Sequence, residues 1–139
     1  MGPNWSDLTG AVVARILLID TDVLVDYLRE FPPAVEYLEA LEEDLCTSSI
    51  VVAELYGGVR EGKERQALES LLSVFEIKPI EADLAERAGL LRRDYARKHG
   101  TGLADALIAA TAQQCGADLV TLNAKHFPML QNVVVPYNK

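Results

Sequence analysis

Hydrophobic positions along the chain fall into short uniform runs separated by longer stretches with helical spacing. In residues 15–19, Arg-Ile-Leu-Leu-Ile, the four positions after Arg15 are apolar without alternation, which predicts a strand buried on both faces. A short helix is expected over about 23–29. Pro32 and Pro33 end it and open another over 34–43. Residues 45–47 predict a second strand. Ser48 or Ser49 can cap the next helix, which carries Val52, Glu54 and Leu55 and stops at Gly57-Gly58.

An amphipathic helix over 63–73 and a strand over 74–77 come next. The stretch 81–98 places Leu84, Ala88, Leu91 and Tyr95 at helical steps until Gly100 breaks it. Residues 104–115 predict a helix rich in alanine (Ala104, Ala106, Ala109, Ala110, Ala112), able to pack close to a sheet before Gly116 ends it. Residues 118–121 and 133–135 supply the last strands. Strands alternating with helices predict the α/β class: three layers, with a central, mostly parallel sheet flanked by helices.

Length and composition narrow this picture to one domain. With 139 residues, 50% of them hydrophobic, the chain can bury a real core but has no room for a second. We expect the domain to cover 16–139 and residues 1–15 to form a flexible leader, since residues 1–10 show no periodicity. The apolar run 11–19 is interrupted by Arg15 and too short to span a bilayer, and no Lys or Arg precedes Arg15 as a signal peptide would require. Cys46 and Cys115 each sit in an apolar stretch and read as buried thiols. That suits a reducing compartment, the cytoplasm.

The formal net charge is −8, from 21 acids against 13 bases, which argues against nonspecific binding of polyanions. Bases do collect at Arg87, Arg92, Arg93, Arg97 and Lys98, with only Asp94 opposing them. This segment serves equally as a solvated helix face or as a track for an RNA backbone.

The acids carry the chemistry. Asp20-Thr21-Asp22 follows the first strand, at the sheet edge where open α/β folds bind ligands. One of the pair can bind a metal while the other is an alternative ligand or orients water; the same pair would also make a plain turn and helix cap. Glu54 sits among apolar neighbours, either at an exposed helix edge or aimed into a site. Asp105 lies in the least polar helix, Leu103-Ala104-Asp105-Ala106-Leu107-Ile108; the helix dipole favours an acid there, but burial would demand a partner such as a metal. Thr121 and Asn123 end the strand Leu119-Val120-Thr121-Leu122-Asn123. Carboxylate and amide oxygens without paired His or Cys suit Mg²⁺ or Mn²⁺ rather than zinc; His99 and His126 are isolated in sequence. Such a cluster points to phosphate chemistry. No G-x-x-x-x-G-K-S/T, G-x-G-x-x-G or G-x-S-x-G pattern is present.

Four segments in series resemble the PIN-domain ribonucleases, specifically VapC-like toxins of toxin–antitoxin pairs. They are Leu18-Ile19-Asp20-Thr21-Asp22-Val23-Leu24, the run from Ser48 through Glu54 to Gly58, the run from Leu103 through Asp105 to Ala112, and the run from Leu119 to Phe127. The resemblance implies a PIN-like fold and an endoribonuclease that hydrolyses phosphodiester bonds with Mg²⁺ or Mn²⁺. It implies metal ligands at Asp20, Glu54 and Asp105, a fourth at Asn123, and a hydrogen-bonding role for Thr121. It also implies an RNA substrate, a homodimer, and a small VapB-like antitoxin whose C-terminal segment fills the acidic cleft. His126 stands where the family frequently has an acid, and Asp22 where it often has Asn.

Asp20-x-Asp22 after an apolar strand also opens haloacid-dehalogenase-like phosphatases, but the closing acidic pair of that family is absent. A receiver domain would need an acid at the end of the second strand. A catalytically inactive PIN-like binding domain is separated from a nuclease only by RNA cleavage. The apolar side chains Val23, Leu24, Tyr27, Leu28, Val35 and Leu38 read equally as core or as a partner groove.

Overall fold

A strand without alternation can be satisfied only in the middle of a sheet, and β1 (Ile16–Ile19) lies there. The computed structural model describes residues 15–139, so the expected leader lies outside them apart from Arg15. β1 pairs with β2 (Asp44–Ser48) on one side and β4 (Asp118–Val120) on the other; β3 (Glu76–Lys78) and β5 (Val133–Val134) are the edges. Every pairing is parallel, so the expected mostly parallel sheet is wholly so.

The order β3-β2-β1-β4-β5 means that the chain moves outward from β1 in one direction, then returns to lay down β4 and β5 on the other side. The helices α1 (Thr21–Leu28), α2 (Pro32–Glu39), α3 (Ser49–Gly57) and α4 (Lys63–Leu72) belong to the outward crossovers. The returning crossover is made by α5 (Ala82–His99) and α6 (Leu103–Cys115). Right-handed connections therefore place α1–α4 on one face of the sheet and α5–α6 on the other.

Leu17, Leu18, Ile19, Val23, Leu24, Val51, Leu119, Val120 and Phe127 form the main core. The alanines of α6 divide their work: Ala109 and Ala112 join that core, whereas Ala106 and Ala110 meet Leu84 and Ala88 of α5. Small side chains on both helices allow that close approach. Gly100 and Gly116 take left-handed conformations that end α5 and α6, as their positions predict.

The expected strand over 74–77 is displaced to Glu76–Lys78, because Phe75 turns into the core from the end of α4. Both cysteines are free; Cys46 is buried and Cys115 only half-buried. Among the described residues no helix is long and apolar enough to cross a membrane.

Candidate active site

Strand order reverses between β1 and β4, and their paired ends, Ile19 opposite Val120, point the next residues of both strands at one place. Asp20 and Thr121 occupy it. The Asp20 amide donates to the Val120 carbonyl at 2.9 Å, which locks the β1 end against β4. Asp20 is 7% exposed; its Oδ1 accepts from the Thr21 amide at 2.7 Å and its Oδ2 from Thr121 Oγ1 at 2.8 Å. Burial first, then the charges of Asp22 and Asp105, push its pKa up to about 7, against the pull of those two hydrogen bonds.

Asp22 is braced rather than open. Its Oδ1 accepts from the Val23 amide at 2.8 Å and its Oδ2 from the Leu122 amide at 3.0 Å, which ties the start of α1 to the loop after β4. Burial raises its pKa, and these backbone donors oppose the rise. A main-chain donor on each oxygen makes Asp22 a brace for the loop after β4.

Glu54 enters from α3, which Ser48 caps by accepting from the Ile50 amide. It is exposed, and its Oε1 accepts from Thr21 Oγ1 at 2.6 Å, so Thr21 links it to Asp20. Asp105 comes from the first turn of α6 and is half-buried rather than buried. Its Oδ2 accepts from the Gly102 amide at 3.2 Å, so it also closes the first turn of α6.

His126 is not isolated in space. A one-turn 3₁₀ helix (Ala124–His126) swings its ring back so that Nδ1 lies 3.2 Å from Asp105 Oδ2 and 2.8 Å from the Asn123 side-chain amide. The Asn123 amide proton goes to Thr121 Oγ1 at 3.0 Å. Asp20, Asp22, Thr121, Asn123, His126 and Asp105 thus form one connected group, with Glu54 joined through Thr21. The five bases Arg87, Arg92, Arg93, Arg97 and Lys98 are all exposed on α5; Arg93 pairs with Asp94 at 3.0 Å. Arg97 and Lys98 lie in its last turn, the end nearest Asp105.

The donor chemistry fits a hard divalent cation. Among the described residues, the lysine and arginine ion pairs leave out Asp20, Asp22, Glu54 and Asp105, and the base within ion-pair distance of this group is His126, beside Asp105. Oxygens from β1, α3 and α6 approach the acid-rich cleft from three directions. They are less tightly gathered than the ligands of one ion: among the described residues no three His, Cys, Asp or Glu side chains stand together as a ready-made metal cage.

Known proteins share this arrangement of sequence. The PIN domain family model matches residues 17–129. Two ribonucleases of Mycobacterium tuberculosis are similar over most of their length. VapC10 is 40% identical over 125 residues, covering 88% of this chain and 93% of its own. VapC19 is 42% identical over 124 residues, covering 86% and 98%. A chain of a toxin-antitoxin complex from Klebsiella pneumoniae has a TM-score of 0.77 at 35% identity, covering 88% of this chain and 99% of that one. The matched span runs from β1 through the turn after β4 and takes in every residue placed around Asp20, so the chain belongs to the PIN-domain family.

Proposed function

We propose that this chain is a divalent-metal-dependent endoribonuclease and the toxin of a toxin–antitoxin pair. The observation that carries the reading is Asp20, a buried carboxylate held by Thr121 at the strand-order reversal, with Asp22 and Asp105 near enough to raise its pKa. A group of acids this poor in basic partners has an electrostatic use for a cation. Asp20, Glu54 and Asp105 would hold Mg²⁺ or Mn²⁺, with Asn123 as a further oxygen donor. Bound there, the ion supplies a Lewis acid that polarises a phosphate oxygen and acidifies water.

The chain's own residues set the rest. Thr121 and the Thr21 amide keep both Asp20 oxygens in fixed directions, so little reorganisation is needed on binding. Glu54, being exposed, forms the solvent side of the cleft, where a phosphodiester enters. Arg97 and Lys98 offer backbone contacts that position RNA without reading its bases. Identity to VapC10 and VapC19, both ribonucleases, supports the reading of RNA as substrate.

Likeness to a chain from a toxin-antitoxin complex supports a small VapB-like antitoxin as partner. Of the apolar residues near the first helices, Val23, Leu24 and Leu38 belong to the core. Tyr27 and Leu28, which also pack against that core, line with Val35, Pro32 and three glutamates an open groove of about 520 Å³ between α1 and α2, wide enough for a partner's side chains or the face of a homodimer. An Arg or Lys of the antitoxin would meet Asp20, Glu54 and Asp105 as readily as a cation does.

The test is co-expression with the small neighbouring reading frame, followed by RNA cleavage assays of the complex and of the freed chain with Mg²⁺ or Mn²⁺. The expected result is a stable, inactive complex and an active freed chain. A freed chain inert on structured and unstructured RNAs alike would leave only a binding domain.

A further inference from the structure

We propose that His126 is a positioning residue of this site, which fixes Asp105 and Asn123 through the δ edge of its ring. The inference rests on the metal-nuclease reading above and goes beyond it, because His126 is no ligand in that reading.

The His126 backbone is held independently of Asp105. Its carbonyl accepts from the buried Thr101 Oγ1 at 2.8 Å, and its amide donates to the Asn123 carbonyl at 3.0 Å. The imidazole packs against Gly100, where an added Cβ would lie 3.7 Å from Nε2 and 3.9 Å from Cδ2. His126 therefore joins the loop after β4, which carries Asn123, to the connection between α5 and α6, just ahead of Asp105.

Proton accounting then fixes the tautomer. Nδ1 lies 3.2 Å from Asp105 Oδ2, and an ionised carboxylate can only accept. A lone pair on Nδ1 would face that oxygen repulsively, so Nδ1 carries the proton. Asn123 Nδ2 stands 2.8 Å from the same nitrogen; with the proton on Nδ1 the amide is turned over, so that Oδ1 accepts from the ring and keeps a second lone pair for the cleft. Asp105 Oδ2 receives two donors, Nδ1 and the Gly102 amide, and its second oxygen is left for the cleft. Restraint of that kind is how a residue behind a ligand raises affinity for an ion.

Two amides imitate the two ring nitrogens separately. In His126→Asn the side-chain nitrogen falls near Nδ1, whereas in His126→Gln it falls near Nε2. Mn²⁺ binding, followed by electron paramagnetic resonance on the full chain, should stay within about threefold of wild type for His126→Asn. It should weaken by about 10- to 100-fold for His126→Gln and His126→Ala. A packing role predicts the reverse order, because Gln is nearer to His in volume, and that order would overturn the proposal. Long-range ¹H–¹⁵N correlation spectra of the wild-type chain at slightly alkaline pH should show the His126 proton on Nδ1; a proton on Nε2 overturns it directly. A wild-type chain that binds no Mn²⁺ would defeat the metal reading instead, and the ring spectrum would still decide whether His126 holds Asp105.

Discussion

Thr121 Oγ1 donates to Asp20 Oδ2 at 2.8 Å across the reversal of strand order between β1 and β4, joining residues 101 positions apart in sequence. Both are buried, so the bond lies where water cannot replace it. Thr121→Val keeps the shape and deletes the donor, leaving a buried carboxylate oxygen short of a partner. The expected loss of stability is about 1–3 kcal/mol, measured by urea unfolding at neutral to alkaline pH. An unchanged unfolding midpoint would show that Asp20 does not depend on Thr121.

The raised pKa of Asp20 makes stability depend on pH with a definite sign. Its folded value, about 7, lies above its ordinary value of 3.8, so the folded state binds the proton more tightly than the unfolded chain. Below about pH 4 the group is neutral in both states and costs nothing; as pH rises to 7 the cost of ionising it in the fold grows, up to about 4 kcal/mol. Without divalent ions, Asp20→Asn should therefore be more stable than wild type at pH 8 and no more stable at pH 4. Equal stability gaps at both pH values, measured by chemical denaturation, would contradict this.

Asp26 is a buried acid of a different kind. It is 5% exposed and accepts from Tyr137 Oη at 2.8 Å and Lys139 Nζ at 3.0 Å, so the C-terminal segment is fastened across α1. Tyr137→Phe should cost about 1–3 kcal/mol of stability because it strips a hydrogen bond from a buried charge. Intrinsic cleavage activity per folded molecule should be unaffected, and a large drop in that activity would mean that α1 needs this fastening to hold Asp20.

Arg93 and Arg97 test the basic face of α5. If both contact the substrate backbone, Arg93→Gln with Arg97→Gln should lower the salt slope of single-stranded RNA binding by about 0.7 for each lost contact. An unchanged slope assigns them to a solvated helix face.

Much of this was legible in the sequence because the fold follows from local rules. The uniform run Ile16–Ile19 demanded a central strand, and Gly100 and Gly116 marked the helix ends. Asp20, Asp22, Thr121 and Asn123 could be placed together because each follows a strand directed at the same sheet edge. His126 could not be placed in the same way: a single 3₁₀ turn reverses its ring toward Asp105, and such a turn leaves no periodic signal. Asp26 drew no notice in the sequence, because the residues that pair with it lie 111 and 113 positions away. The half-buried state of Asp105 was also hidden, since an apolar helix says little about the exposure of its first turn.

Cleavage of a defined RNA by Asp20→Asn, Glu54→Gln and Asp105→Asn at limiting Mn²⁺ tests most directly whether these three carboxylates act through a divalent metal. Wild type should cut with Mn²⁺ or Mg²⁺ and stop when the ion is chelated. Each substitution should reduce the rate by at least about 10- to 100-fold in a chain that remains folded. Full wild-type cleavage by Asp105→Asn at limiting ion, or cleavage by wild type that survives chelation, would contradict the assignment.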